Sequence, residues 1–420
     1  MREDHADRAD RAPARDAVLL VDPVLTGLPF KAACRARGYT VVSLYTLSAE
    51  ALREFAPDHA SSDDVTLYAA DPKRACELLA GTGLRIRAVV PATEPAVHVA
   101  DVLASRLGLP GNEPATALAR RDKTVMRRLA VRAGITVPAF ARVSRPADAV
   151  PAARRIGFPL VLKPATGAAS RGVRLVPHAR DLDAAVAAAT ETDLFGAPVR
   201  DWLVERYVRG REFAVNAFSL HGRHRIIDVW EYLQPSGADY DQPYWDLIQV
   251  PRDDPAHGTA AAFALRVLDA FGIRVGPSHT EVKGDERGVS LMEVASRLPG
   301  ARIADHWIGH AAFHPFDATL AALLGEADEN PEPGFDAILG ICCLRNDGDA
   351  GTLRAVHGLD DLAGTPGVDG VHLAYAIGDH VPPTRDLNTI VAKVLVSGND
   401  HTSVRNTLEA VRAKAELEIG

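Results

Sequence analysis

The chain has 420 residues, a formal net charge of -8 and 47% hydrophobic residues, enough for roughly two to four structural units with large cores. No apolar run approaches the ~18 residues needed to span a bilayer, and the charged opening MREDHADRADRAPARD lacks a signal-peptide core, so a cytoplasmic location away from membranes is expected. The acidic balance and the lack of a basic stripe exclude nucleic acid as the main partner, which leaves small molecules. Cys34, Cys76, Cys342 and Cys343 show no metal spacing, and reduced, buried thiols are expected.

Residues 1–16 are read as disordered. AVLLVD then reads as a buried strand, PFKAACRARG as a helix and YTVVSLY as the next strand, which makes a βαβ unit. A further strand, RIRAVVPA, leads through TEP into the helix AVHVADVLASRLG. Together they predict an open parallel sheet with helices on its faces. A lone GTG at residues 81–83 is read as a loop.

Residues 117–133 are read as a helical stretch containing Lys123, closed by Pro138. In FPLVLKPATGAASRGVRLV, a buried strand delivers Lys163 to a small-residue loop spanning Gly167, Ser170, Arg171 and Gly172. Such a loop can offer backbone N–H groups to a phosphate, although the spacing is not that of a Walker P-loop and a plain flexible hairpin remains open. DWLVERYVRGREFAVNAFSL reads as two strands about a turn. An unpaired strand edge there has the donors and acceptors to recognise adenine, with Glu212 placed for ribose hydroxyls, and a simple charged hairpin is the alternative.

DVWEYLQPSGADYDQPYWDLIQVP, residues 228–251, is aromatic-rich in a chain with 6% aromatics. Trp230, Tyr232, Tyr240, Tyr244 and Trp245 are either core residues or the wall of a side-chain pocket. In SHTEVKGDERGVSLMEVASRLPG, strands flank a polar turn. Pairing symmetrically about Arg287 sets Glu281 opposite Glu293, with side-chain bases about 5 Å apart. Two such carboxylates need a proton or a cation between them, and a Mg²⁺ ion serving nucleotide phosphates meets that need. The alternative is a hairpin edge whose acids are solvated or pair with Lys283 and Arg297. His306 and His310 have helical i, i+4 spacing without a zinc-protease glutamate, and are read as surface or pocket histidines. Arg302 is a candidate for a substrate carboxylate.

The ordered set of Lys123, Lys163 with its glycine loop, an acid-bearing strand pair and the two-acid hairpin resembles the ATP-grasp enzymes from about residue 17 to the C-terminus. The resemblance implies an α/β ATP-grasp fold: an N-terminal open parallel-sheet domain over 17–124, a lid over 125–200, a central antiparallel sheet over 201–330 and a C-terminal αβ subdomain over 331–420. It implies that Lys123, Lys163 and the 167–172 loop meet ATP phosphates, that Glu205 and the backbone of Arg206 and Val208 bind adenine, and that Glu212 binds ribose. Glu281 and Glu293 become ligands of Mg²⁺, expected as two ions and replaceable by Mn²⁺, and Arg297 meets the transferred phosphoryl or acyl oxygen. GPSHTEVK followed by LMEVASRLPG further resembles the L-amino-acid ligases, which use ATP to join two amino acids; a homodimer accords with that resemblance. A γ-glutamyl-type ligase, an ATP-grasp ligase for another carboxylate and an inactive ATP-binding protein are the alternatives. The last is motivated by Ala295, which stands where many relatives carry asparagine.

Overall fold

The computed structural model describes residues 14–167, 170–189, 192, 198–235, 245–285, 288–358, 361–362 and 364–420. Strands β1 (Asp16–Val21), β2 (Thr40–Tyr45), β3 (Val65–Tyr68) and β4 (Arg85–Pro91) form a parallel sheet in the order β3-β2-β1-β4. Their apolar runs suit a sheet covered on both faces. Helices α1 (Pro29–Ala36), α2 (Ala49–Phe55), α3 (Pro72–Ala80) and α4 (Ala96–Leu107) alternate with these strands. Val18 and Leu20 share a core with Phe30, whereas Ala17, Leu19 and Val21 share the opposite one with Leu79 and Leu103.

The helical stretch expected over 117–133 is divided. Pro114–Arg120 is a 3-10 turn, and α5 (Lys123–Arg132) starts afresh because Asp122 accepts the Val125 N–H at 2.9 Å. This cap makes Lys123 the first helical residue. A second sheet follows, built from β5 (Phe140–Val143), α6 (Ala149–Ile156), β6 (Leu160–Pro164), β7 (Arg174–Val176), α7 (Leu182–Ala187) and β8 (Trp202–Arg206). Its antiparallel order is β5-β8-β6-β7.

The remaining elements are β9 (Arg211–Leu220), β10 (Arg223–Leu233), β11 (Asp246–Gln249), α8 (Pro255–Ala270), β12 (Gly276–Asp285), β13 (Gly288–Ala295), α9 (Ile303–His310), α10 (Pro315–Leu324), β14 (Ile338–Leu344), β15 (Gly351–His357), β16 (Val368–Leu373), β17 (His380–Val381), β18 (Ala392–Gly398), α11 (His401–Lys414) and β19 (Glu416–Ile419). Eight of these strands form one antiparallel sheet, β13-β12-β9-β10-β11-β14-β18-β16, so the C-terminal strands prolong the central sheet. β17-β15-β19 form a small sheet beside it. The glycine-rich stretch GTPGVDGVHLAYAIGD contains β16, and the last helix stops at Lys414 so that Glu416–Ile419 can pair with β15.

On one face of the central sheet Phe213, Val215, Val282, Leu291 and Val294 pack in one core with Met126 of α5 and Val267 of α8. The opposite face carries the polar residues described next. Cys34, Cys342 and Cys343 are buried free thiols, and Cys76 is half-buried. Among the described residues no helix is long and apolar enough to cross a membrane.

Candidate functional site

A cavity of about 1080 Å³ lies where the parallel sheet, the second sheet and the polar face of the central sheet meet. Its lining includes Glu94, Lys123, Lys163, Glu212, Glu281, Glu293, Arg297 and Arg302. The two-acid hairpin forms as β12 and β13, with Glu281 directly opposite Glu293. The route differs from simple symmetry about Arg287. The register shifts between Glu281 and Val282, because Val282 pairs with Leu291 and Met292 is the extra residue of a bulge. That extra residue lets Leu291 face the apolar core while Glu293, two positions on, faces the cavity. Along an unbroken strand the two would share a face.

Neither Lys283 nor Arg297 neutralises this pair in the way the alternative reading proposed. Lys283 contacts Glu212 at 3.0 Å, and Arg297 pairs with Glu94, a residue from the loop after β4. Glu293 instead receives Lys123 at 2.8 Å, and the same ammonium donates to the Gly167 carbonyl at 2.7 Å. The buried Glu94 and the half-buried Glu281 and Glu293 thus crowd together beside Lys123 and Arg297, with the charge of Arg121 also acting on Glu94. Burial, then the charge of Glu94, pushes the Glu293 carboxyl up to about 8, despite the ion-pair geometry with Lys123. Burial also opposes ionisation of Glu94 and Glu281, but Arg297 holds Glu94 low and His279 holds Glu281 low. Charge balance favours the protonated state of Glu293 over the ion pair that its distance to Lys123 alone would suggest. A divalent cation fits this donor set, because it would supply the missing positive charge. Glu94 also shares a hydrogen bond with Glu293, the arrangement of two carboxyls holding one proton, and it lines the same cavity.

His279 stands directly across from Ala295 on the cavity face. Asn216 donates its amide to Asp228 at 2.7 Å, which turns its oxygen toward His279 Nδ1, also at 2.7 Å. Nδ1 therefore carries a proton, and Nε2 is the nitrogen 3.4 Å from Glu281.

The nucleotide-binding expectations need two corrections. β8 is paired on both sides, to β5 and β6, so it offers no free edge, and β9 belongs to the central sheet instead of forming a hairpin with β8. The Arg206 N–H is already donated to the Ala139 carbonyl. Strand pairing to β6 ends at Arg206, and the cavity wall there continues through Tyr207 and Val208. The Glu205 carboxylate is 2% exposed and is gripped by Arg127 and Lys163, each at 2.5 Å. Burial would raise its pKa, but the two cations hold it at about 2. Burial pushes the Lys163 ammonium in the neutral direction, against the opposing pull of Glu205. Glu205 thus positions Lys163, and both predicted lysines are held by acids. Gly167, Ser170 and Arg171 line the cavity, whereas Gly172 turns the loop at φ 75° behind it.

Among the aromatic candidates only Tyr232 reaches the site within the described residues, its hydroxyl 3.3 Å from Glu281. Trp230 is fully buried beneath α9, and both it and Trp307 donate to the buried Asp228 carboxylate. Trp245 stacks under Arg412 at 3.8 Å, outside the cavity lining. Tyr240 and Tyr244 lie outside the described residues. Arg302 lines the cavity while contacting Asp305 at 2.9 Å. Glu94 was not singled out in sequence, yet it follows a parallel strand's carboxyl end, where open α/β sheets bind ligands.

A family model for the ATP-grasp domain matches residues 156–305, and one for L-amino acid ligase C-terminal domain 2 matches residues 348–420. The chain is 28% identical over 236 residues to the dapdiamide A synthase of Enterobacter agglomerans, covering 54% of each chain. It is 23% identical over 340 residues to the L-arginine-specific L-amino acid ligase of Bacillus subtilis, covering 79% of this chain and 80% of that one. Its fold superposes with a TM-score of 0.77 on the crystal structure of an L-amino acid ligase from Bacillus licheniformis, at 19% identity and covering 98% of this chain and all of that one.

Proposed function

We propose that this chain, which belongs to the carboxylate–amine ligase branch of the ATP-grasp superfamily, joins two amino acids into a dipeptide or related amide. ATP with Mg²⁺ would supply the γ-phosphoryl group that turns an unreactive carboxylate into an acylphosphate. Attack by the second substrate's amine would then release phosphate and leave ADP. The carrying observation is the pairing of Glu281 with Glu293 across the bulged hairpin, in the same cavity as Lys123, Lys163 and Arg297.

The chain's own residues divide the work. Glu281 and Glu293 would hold Mg²⁺, with His279 Nε2 placed where Ala295 offers no carbonyl. A cation at Glu293 would release Lys123 toward phosphate oxygens, so the Lys123–Glu293 contact holds the ammonium in reserve. Lys163 is fixed by Glu205, and Glu212 and the Tyr207–Val208 wall remain for the nucleoside. Arg297 presents a planar donor fork suited to charge developing on phosphoryl or acyl oxygens. Glu94 orients that fork. Catalysis of this kind rests on positioning and charge neutralisation, with no covalent enzyme intermediate.

The test is phosphate release from Mg²⁺-ATP against single and paired amino acids, with products read by mass. Release that requires two amino acids and yields a product lighter than their sum by one water supports the reading. Turnover with one amino acid and a different carboxylate or amine overturns it.

A further inference from the structure

A second cluster of ligating atoms lies outside the cavity lining, built by α9 and β16. His306 and His310, one turn apart on α9, both point Nε2 at the same oxygen of Asp369, at 3.0 and 3.3 Å. Metal bonds of about 2.0–2.1 Å place neighbouring ligand atoms about 2.9 Å apart in an octahedron and about 3.3 Å apart in a tetrahedron. The two histidine–carboxylate separations match that spacing, and the three ligand atoms all lie within 4.8 Å of one another.

Outer hydrogen bonds orient His310 and Asp369, whereas His306 Nδ1 is buried without a partner. Asp336 takes His310 Nδ1 at 2.8 Å, the carboxylate–imidazole arrangement that leaves Nε2 as the ligating nitrogen. His310 Nε2 and the Asp369 oxygen would then face each other as two lone pairs, a contact that a proton or a metal cation between them satisfies. Ser397 donates to the other Asp369 oxygen at 2.8 Å and fixes the carboxylate's orientation. His306 is 3% exposed.

We propose that His306, His310 and Asp369 form a site for a divalent transition ion of the Zn²⁺ class, with a fourth position left to water. Two imidazoles and one carboxylate favour such an ion over Mg²⁺, which prefers an all-oxygen shell. The ion clips α9 to β16. α9 begins directly after Arg302, and His372 and Leu373 of β16 also line the cavity, so the clip braces two parts of the cavity wall from behind.

The test uses the full-length chain, freed of metal by chelation and titrated with ZnCl₂ by calorimetry in excess MgCl₂, with CoCl₂ as a spectroscopic probe. The wild type is expected to bind one Zn²⁺ and to develop Co²⁺ ligand-field bands. H310A and D369N, which alter partly exposed residues, are expected to keep the metal-free melting temperature and to bind Zn²⁺ at least ~10-fold more weakly; D336N loses about 10-fold. E281Q keeps both signals. Absence of Zn²⁺ binding by the wild type, binding unchanged in H310A and D369N, or loss in E281Q instead would each overturn the proposal. None of these readouts depends on ligase activity.

Discussion

Replacing Glu293 by glutamine is expected to stabilise the metal-free, nucleotide-free protein and to abolish its response to Mg²⁺ and ATP. Burial and the charges of Glu94 and Glu281 raise this carboxyl from 4.5 to about 8, so at pH 7 the folded state holds a proton that the unfolded chain has released. Each pH unit between those conditions costs about 1.4 kcal/mol, which makes the penalty at pH 7 up to ~3 kcal/mol. The native state binds more protons than the unfolded one, so this contribution to stability is complete below pH 4.5 and is lost as pH rises toward about 8. Glutamine is neutral in both states and retains an oxygen for Lys123. Urea denaturation of wild type and E293Q at about pH 5 and pH 7.5 measures the difference, with an unchanged m-value as the control. The variant should gain stability at the higher pH and little at the lower. A variant less stable than wild type at pH 7.5, or a gap that does not widen with pH, would refute the charge imbalance at this hairpin. A Mg²⁺-ATP thermal shift that survives in E293Q would refute the assignment of the cation.

Three further outcomes follow from the same geometry. R297K keeps the charge beside Glu94 but loses the donor fork, and should lower kcat by ~10²-fold with KM for ATP nearly unchanged, measured by steady-state phosphate release. E205Q strands Arg127 and Lys163 in a buried site and should cost ~3–5 kcal/mol in denaturant unfolding; loss of ATP affinity at unchanged stability would instead mean that this carboxylate meets the nucleotide. Mg²⁺ affinity of the nucleotide-free protein should rise about tenfold per pH unit below about 8 and then level off, because the ion displaces the Glu293 proton; calorimetry in two buffers reads that proton directly.

The elements whose signals are local were readable from the chain. The β1-α1-β2 unit, the strand carrying Lys163 and the two-acid hairpin each announce themselves by apolar periodicity and turn residues, and the order of their charged residues carried the family resemblance. Even the Glu281–Glu293 pairing was legible, although a one-residue bulge at Met292 produces it. Contacts across the fold were not legible, because periodicity states which face a side chain takes and says nothing about what covers that face. Trp230 and Tyr232 share a face of β10, yet α9 buries one while the other reaches Glu281. Glu94 meets Arg297 across 203 positions, and Arg127 and Lys163 converge on Glu205 from other elements. Sequence by itself determined the first βαβ unit, the two-acid hairpin and the order of the chemically active residues, since each is set by neighbours along the chain. Tertiary structure alone decided which charges confront one another in the cavity, since Coulomb energy and burial depend on distance in space.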